Sequence, residues 1–188
     1  RFKKIGILTD ITSDLSVIEK ADKLILPGVG HFAHAMENLH NLKMIDILNY
    51  KIMDEKIPIL GICLGMQLLT KHSEEGNVEG LSYIDAETKK FVFNGESRKK
   101  YKIPHIGWNT LKISKINSLF NQVDESSFFY FVHSYYVDCY QKDDILALTN
   151  YGREFVSAFH HENIYGTQFH PEKSHSWGTT IIKNYIHL

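Results

Sequence analysis

The sequence predicts an α/β fold: an open, mostly parallel sheet flanked by helices, with an added antiparallel β region. Three observations predict it. Residues 57–69 read as a short apolar strand, a tight turn and a helix, the repeating unit of α/β sheets. Upstream, short apolar runs alternate with stripes at helical spacing. Over residues 81–113 those stripes vanish and β-type residues take over, so further strands are expected beyond the first unit.

Taken in order, residues 4–9 read as a strand, and Ser13 as the cap of a short helix over residues 14–20. Lys23-Leu24-Ile25-Leu26 is a compact apolar strand that stops at Pro27-Gly28-Val29-Gly30, because proline lacks a ladder donor and glycines permit unusual backbone angles. A turn at the carboxyl end of such a strand is where open α/β sheets bind ligands; a plain terminating turn is the simpler alternative. Phe32, Ala35, Met36 and Leu39, then Met44, Ile47, Leu48 and Ile52, recur at helical spacing and read as core faces. Pro58 opens the next strand, and Met66, Leu68 and Leu69 carry the helix after the turn. Ser73-Glu74-Glu75-Gly76-Asn77 is a polar loop whose acidic pair reads as solvated surface.

In the β-rich part, strands are expected at Tyr83-Ile84, Phe91-Val92-Phe93, Tyr101-Lys102-Ile103 and Leu111-Lys112-Ile113, with Asn94-Gly95 as a hairpin turn. Residues 104–109 read as a loop, in which Trp108 either serves an interface or covers the edge of the core. Further strands follow at residues 128–132, 145–149, 155–160 and 164–169, and Ser176 is placed to cap a closing helix over residues 177–186. No repeat or linker divides the chain, so residues 1–188 are expected to form one domain.

Composition narrows the function. A formal net charge of −1 over 188 residues offers no electrostatic case for nucleic acid. No apolar run reaches membrane-span length, so no membrane partner is expected. There are only two cysteines, Cys63 and Cys139, too few for a disulfide framework; a reducing cytoplasm is expected. Paired Cys/His spacing is absent, so no metal or other cofactor is expected.

The chemistry centres on Gly61-Ile62-Cys63-Leu64-Gly65, the thiol counterpart of a Gly-x-Ser-x-Gly nucleophile elbow. The turn would leave Cys63 at the start of a helix, where free N–H groups favour a thiolate; a buried structural cysteine is the alternative. A thiol nucleophile needs a base, and the base an orienting group. His170-Pro171-Glu172 follows a strand and offers both. Pro171 biases His170 towards an extended shape, in which residues two apart project to one side. The backbone N–H of Leu64 would supply one oxyanion donor, and the turn of Gly28, Val29 and Gly30 a second. Gln67 lies one helical turn beyond Cys63, either as a substrate contact or as a buried structural amide.

Together these residues resemble the class I, triad-type glutamine amidotransferases, whose fold is flavodoxin-like. Gly61-Ile62-Cys63-Leu64-Gly65-Met66-Gln67 and His170-Pro171-Glu172 match the family's nucleophile and His/Glu motifs. Ala21-Asp22-Lys23-Leu24-Ile25-Leu26-Pro27-Gly28-Val29-Gly30, Pro104-His105-Ile106-Gly107-Trp108-Asn109, Tyr130-Phe131-Val132-His133-Ser134-Tyr135 and Gly166-Thr167-Gln168-Phe169-His170 extend the match along nearly the whole chain. Within the family they are most similar to the HisH-type glutaminase subunits of imidazole glycerol phosphate synthase. The resemblance implies that Cys63 attacks the side-chain amide of glutamine, His170 acts as base and Glu172 orients it. It implies Ser134 and Tyr135, with Gln67, as glutamine contacts. It also implies a heterodimer with a HisF-type (β/α)8 cyclase subunit that receives the ammonia, with Trp108 and Lys173 at the subunit interface. A paralogous glutaminase serving amino-sugar synthesis for surface polysaccharides is the alternative. The family begins with a further strand and a glycine-rich loop into a first helix. Nothing in this sequence, which starts at Arg1, matches that segment, so a missing N-terminal strand and part of the first helix are expected.

Overall fold

The structure, a computed structural model, describes residue 6 and residues 8–188. The first half of the chain runs through α1 (Leu15–Glu19), β1 (Leu24–Gly28), α2 (Phe32–Asn41), α3 (Met44–Asn49), β2 (Ile59–Cys63) and α4 (Leu64–Leu68). The β-rich half holds β3 (His72–Ser73), β4 (Val78–Glu79), β5 (Ala86–Lys90), α5 (Glu96–Lys100), β6 (His105–Thr110), β7 (Lys112–Ile113), β8 (Phe128–His133) and β9 (Tyr135–Cys139). It continues through β10 (Ile145–Asn150), β11 (Glu154–His161) and β12 (Ile164–Thr167), and closes with α6 (His175–Ile186).

The expected α/β class is found. The main sheet is ordered β1-β2-β12-β11-β9-β5-β3-β4, with β10 on β11 and β7 on β10. Parallel pairing joins β1, β2 and β12 and also β3 to β5; the strands from β12 through β11 and β9 to β5 are antiparallel, as are β3 and β4. A separate pair, β6-β8, is antiparallel in continuous register from His105↔His133 to Thr110↔Phe128. All five residues of β2 are buried, as expected for a central parallel strand covered on both faces. Leu60 and Ile62 enter one core with Phe129, Phe131, Phe155 and Phe169, while Ile59 enters another with Phe32, Met36 and Met66. That is the two-residue alternation of a strand.

Two glycines set the distance between α4 and the sheet. A Cβ on Gly65 would lie 1.7 Å from the Leu26 carbonyl oxygen in β1, and one on Gly61 would lie 2.6 Å from Met66 Cα. Both obstacles are backbone, which has no rotamer to yield. At the other end of the sheet, the Tyr185 hydroxyl of α6 donates to the carbonyls of Leu24 and Pro58 at 2.6 and 2.8 Å. Lys23 Nζ donates to the Ile186 carbonyl at 2.6 Å, satisfying an acceptor that a helix end leaves open.

Several local expectations are corrected. Asp14, not Ser13, caps α1, with its carboxylate accepting from Ser16 N–H. Helix α6 begins at His175 after Ser174, not at Trp177 after Ser176. Asn94-Gly95 forms no hairpin: β5 ends at Lys90 and Gly95 leads into α5. Phe91 and Phe93 instead stack on each other at 5.6 Å inside an aromatic cluster, and Val92 between them is exposed. Tyr83-Ile84 and Tyr101-Lys102-Ile103 form no strand; the first run precedes β5 and the second leads into β6. Residues 104–109 are not a loop but mostly β6, because pairing with β8 overrides the local proline and glycine signals. The acidic pair is not idle surface either. Glu75 Oε2 accepts the Phe32 N–H of α2 at 2.8 Å, and Glu74 Oε2 accepts the Lys90 N–H at 2.6 Å. Of the strand expected over residues 4–9, Lys4, Ile5 and Ile7 lie outside the described residues, and Leu8 and Thr9 are in no strand. Among the described residues no helix is long and apolar enough to cross a membrane.

Gly65→Ala is expected to lower the free energy of unfolding by about 1–3 kcal/mol or more, since neither α4 nor β1 can retreat without opening the core. Urea denaturation of the variant against the parent checks this, and an unchanged midpoint would contradict the packing described.

Candidate active site

Cys63 is the last residue of β2 and the residue before α4. Its φ is 53° and its ψ −107°, a region that a side-chain-bearing residue enters at a cost of about 1–3 kcal/mol. The close approach of α4 to β1 and β2 enforces this bend, because the chain must reverse within one residue. The thiol is 6 % exposed. Gly28 pairs with Cys63 across the β1-β2 ladder, which sets the 27–30 turn beside the start of α4. Val29 is 77 % exposed there and Gly30 has φ +109°. Leu64, the first residue of α4, is buried; its N–H has no partner within the helix, as for any first-turn amide.

His170 arrives from β12 and is 1 % exposed. Its backbone is extended, as a following proline requires. Glu172 does not continue that extension: Pro171–Lys173 form a 3-10 turn, and the turn brings the carboxylate back to the ring. His170 Nδ1 donates to Glu172 Oε1 at 2.7 Å. Ser174 Oγ clamps the same segment, donating to the His170 carbonyl at 2.6 Å and accepting the Tyr130 N–H of β8 at 3.0 Å. His170 Nε2 is buried and makes no hydrogen bond of good geometry. Burial alone would push this imidazole down. Hydrogen-bonding and charge from Cys63 and Glu172 outweigh burial and raise it from 6.5 to about 9. Glu172 is likewise opposed by burial, but the His170 hydrogen bond and charge hold it below its ordinary value. A buried cation-forming base beside a thiol is the arrangement that draws a proton from sulfur.

Two further groups touch the sulfur. Cys63 Sγ donates to the Val132 carbonyl of β8, and Gln168 Nε2 donates to Sγ, each at 3.7 Å. Gln168 is fully buried. Its Oε1 accepts from Gln67 Nε2 at 3.1 Å, and Gln67 Nε2 also donates to the Tyr135 carbonyl at 3.0 Å. The Tyr135 carbonyl accepts a second bond from His133 Nδ1 at 2.7 Å, and His133 Nε2 faces His105 Nδ1 at 3.0 Å. A carbonyl only accepts, so His133 carries its proton on Nδ1 and accepts from His105 at Nε2. Burial pushes His105 down to about 4 and His133 down to about 3, so both stay neutral near pH 7.

The structure thus gathers Cys63, His170, Glu172, Leu64, Gln67 and the turn of Gly28, Val29 and Gly30. Both roles weighed for Gln67 remain in view: its amide nitrogen is engaged by protein groups, and its oxygen is the end left over. Ser134 and Tyr135 form the half-buried corner between β8 and β9. Trp108 and Lys173 both meet the Tyr130 ring of β8. Trp108 is 44 % exposed, stacks on His175 at 4.9 Å and meets Tyr130 edge-on at 5.8 Å. Lys173 Nζ sits 5.6 Å from the same Tyr130 ring. Register places Ile106, Trp108, Phe128 and Tyr130 on one side of the β6-β8 pair, with Ile106 and Phe128 exposed. Sequence reasoning assigned no role to Gln168, Val132 or the two buried histidines. Gln168 stands two residues before His170 in the quoted motif, the one local signal available. Among the described residues no cluster of His, Cys, Asp or Glu could hold a metal ion.

The family model for class-I glutamine amidotransferases matches residues 6–188. The chain is 55 % identical to imidazole glycerol phosphate synthase subunit HisH 2 of Methanococcus maripaludis, covering 97 % of this chain and 89 % of that protein. It is 47 % identical to subunit HisH 1 of Campylobacter jejuni strain RM1221, over 100 % of this chain and 91 % of that one. Among solved structures, a glutamine amidotransferase superposes with a TM-score of 0.70 at 15 % identity, over 98 % of this chain and 89 % of that chain. The glutaminase domain of Trypanosoma brucei CTPS superposes with a TM-score of 0.60 at 16 % identity, over 92 % and 74 %. These two likenesses speak to the fold.

Two titrations check the site. In Glu172→Gln the His170 ring is expected to titrate clearly below about 9, read by histidine NMR; an unmoved titration would contradict the pairing. Stability is expected to peak near pH 6.5. The His170 share is present below 6.5 and is lost as pH rises through about 9. The share from neutral His105 and His133 is present above 6.5 and is lost as pH falls through about 4 and about 3. Urea midpoints from pH 4 to pH 9 measure this, and a profile rising steadily to pH 9 would contradict it.

Proposed function

Because this chain belongs to the class I glutamine amidotransferase family, we propose that it works as follows as the glutaminase subunit of imidazole glycerol phosphate synthase in histidine biosynthesis. Cys63 Sγ attacks the side-chain amide carbon of glutamine. His170 takes the thiol proton at Nε2 and passes it to the departing ammonia, leaving a glutamyl thioester on Cys63. Water, deprotonated by His170, attacks the thioester carbon; glutamate leaves and the proton returns to sulfur. Glu172 holds His170 by Nδ1, so that Nε2 faces the chemistry. The Leu64 N–H and the backbone of Gly28, Val29 and Gly30 receive the oxyanion. Gln67, Ser134 and Tyr135 hold the glutamine.

The observation that carries the pathway is the 55 % identity to a HisH subunit over 97 % of the chain. The amino-sugar alternative is not favoured, since relatives at 55, 47 and 46 % identity are named imidazole glycerol phosphate synthase subunits. The ammonia is delivered to a HisF-type (β/α)8 cyclase subunit, in the cytoplasm, where it reacts with a ribulosyl nucleotide to give imidazole glycerol phosphate and AICAR. The exposed apolar side of β6-β8, with Trp108 and Lys173 at its edge, supports a protein partner there.

Cys63→Ala is expected to keep the fold and to lose glutamate release by at least about 10⁴-fold, the scale on which nucleophile removal acts. The assay is glutamine hydrolysis with the co-purified barrel, with and without its nucleotide ligand. The ligand is expected to stimulate the unsubstituted protein. Glutamate release that survives Cys63→Ala would place the nucleophile elsewhere, and absence of stimulation would count against the histidine pathway.

A further inference from the structure

We propose that Gln168 is a positioning residue for the nucleophile: its side-chain N–H holds the Cys63 sulfur as an acceptor and opposes the Val132 carbonyl, which holds the same sulfur as a donor. The proposal rests on the reading of Cys63 as nucleophile, and goes beyond the Cys63, His170 and Glu172 set.

The direction of every bond in this network follows from one atom. The Tyr135 carbonyl can only accept, so Gln67 must point its nitrogen at it. Gln67 Nε2 is also the group that meets Gln168, so Gln168 must answer with Oε1. That orients the Gln168 amide and leaves its nitrogen facing Cys63 Sγ at 3.7 Å. The amide cannot flip without setting two donors against each other, in a place where neither Gln67 nor Gln168 has solvent to turn to. The donor is therefore held in place before any substrate arrives.

Sulfur meets opposite demands at this point. As a thiol it gives its proton to the Val132 carbonyl, the second contact at 3.7 Å. As a thiolate it loses that bond and is repelled by the carbonyl oxygen, while the Gln168 N–H becomes a charge-assisted donor to it. Val132 thus favours the protonated, resting sulfur and Gln168 the ionised, attacking one. His170 Nε2, free of other partners, takes the proton when the balance tips. Gln168 touches neither glutamine nor the leaving ammonia in this scheme. It acts through Cys63.

The test is the pH dependence of iodoacetamide alkylation of the full chain, with the Cys63 peptide quantified by mass spectrometry. Cys139 does not interfere at that peptide, and burial in any case pushes its thiol up to about 12. Gln168→Met keeps the length and removes the donor. Gln168→Glu keeps the acceptor for Gln67 and turns the other end into a second anion. Gln67→Met removes the buried neighbour without touching the sulfur. Gln168→Met is expected to slow Cys63 alkylation at pH 7 about tenfold, a shift of about one pH unit in the midpoint. Gln168→Glu should shift it further in the same direction, and Gln67→Met should shift it less than either. In the glutaminase assay Gln168→Met should lower kcat and leave KM nearly unchanged. Unmoved alkylation in both Gln168 variants overturns the proposal, as does an equal shift in Gln67→Met, which would mark a general loosening of the core. If Gln168→Met fails to fold, Gln168→Glu decides alone. The alkylation midpoint needs no turnover, so it fails or holds independently of the glutaminase reading, which Cys63→Ala decides.

Discussion

The site depends on how closely α4 lies against β1 and β2. At Gly65 the helix backbone meets the Leu26 carbonyl with no room for one methyl group. This contact forces β2 to turn into α4 within a single residue, and that residue is Cys63, held at φ 53°. A longer turn would let the thiol relax into an ordinary backbone region and point elsewhere. The strain at Cys63 is sustained by packing around it: every residue of β2 and every residue of α4 is buried. The same approach puts the 27–30 turn next to Leu64, so the placement of Cys63 and of the candidate oxyanion donors shares one cause.

Charge at the site is arranged by contrast. Three histidines lie buried within the same few strands and have opposite fates. His170 lies between Glu172 and the Cys63 sulfur and rises to about 9. His105 and His133 lie beside each other, a carbonyl and aromatic rings, with His170 also opposing charge on His133, and burial takes them down to about 4 and about 3. Desolvation acts on all three, and the presence of a counter-charge decides the sign. The neutral pair is useful because it stays neutral: a second cation near His170 would compete with it for the sulfur's charge.

The sequence was legible where local geometry dictates the residue type. The elbow could be read from the glycines around Cys63, because a strand-to-helix reversal leaves few alternatives. His170-Pro171-Glu172 was legible as a pair, although the turn at Pro171 brings Glu172 round where an extended strand had been expected. Legibility ended where long-range pairing decides. Pro104 and Gly107 read locally as loop, and only β8, on the far side of a stretch with little regular structure, makes β6 of them. Asn94-Gly95 carried a sound hairpin signal but had no second strand to pair with β5 at that point, since β9 already occupied that edge. The His105–His133 contact and the Gln67–Gln168 contact join residues far apart along the chain, and no periodicity announces such partners.

The position of β12 carries a consequence for how this protein is made. Strand β2 is complete early in synthesis, with β1 on one side of it. Its other neighbour, β12, together with His170, Glu172 and Gln168, comes much later in the sequence. Until that part of the chain leaves the ribosome, β2 has an unpaired edge and Cys63 lacks His170 and Gln168 as neighbours. The nascent polypeptide therefore carries Cys63 without its buried neighbours, and the candidate site is assembled only once β12 and the segment after it have folded against β2. An interrupted translation product would present a sticky sheet edge to the cell's quality control, with no working hydrolase attached.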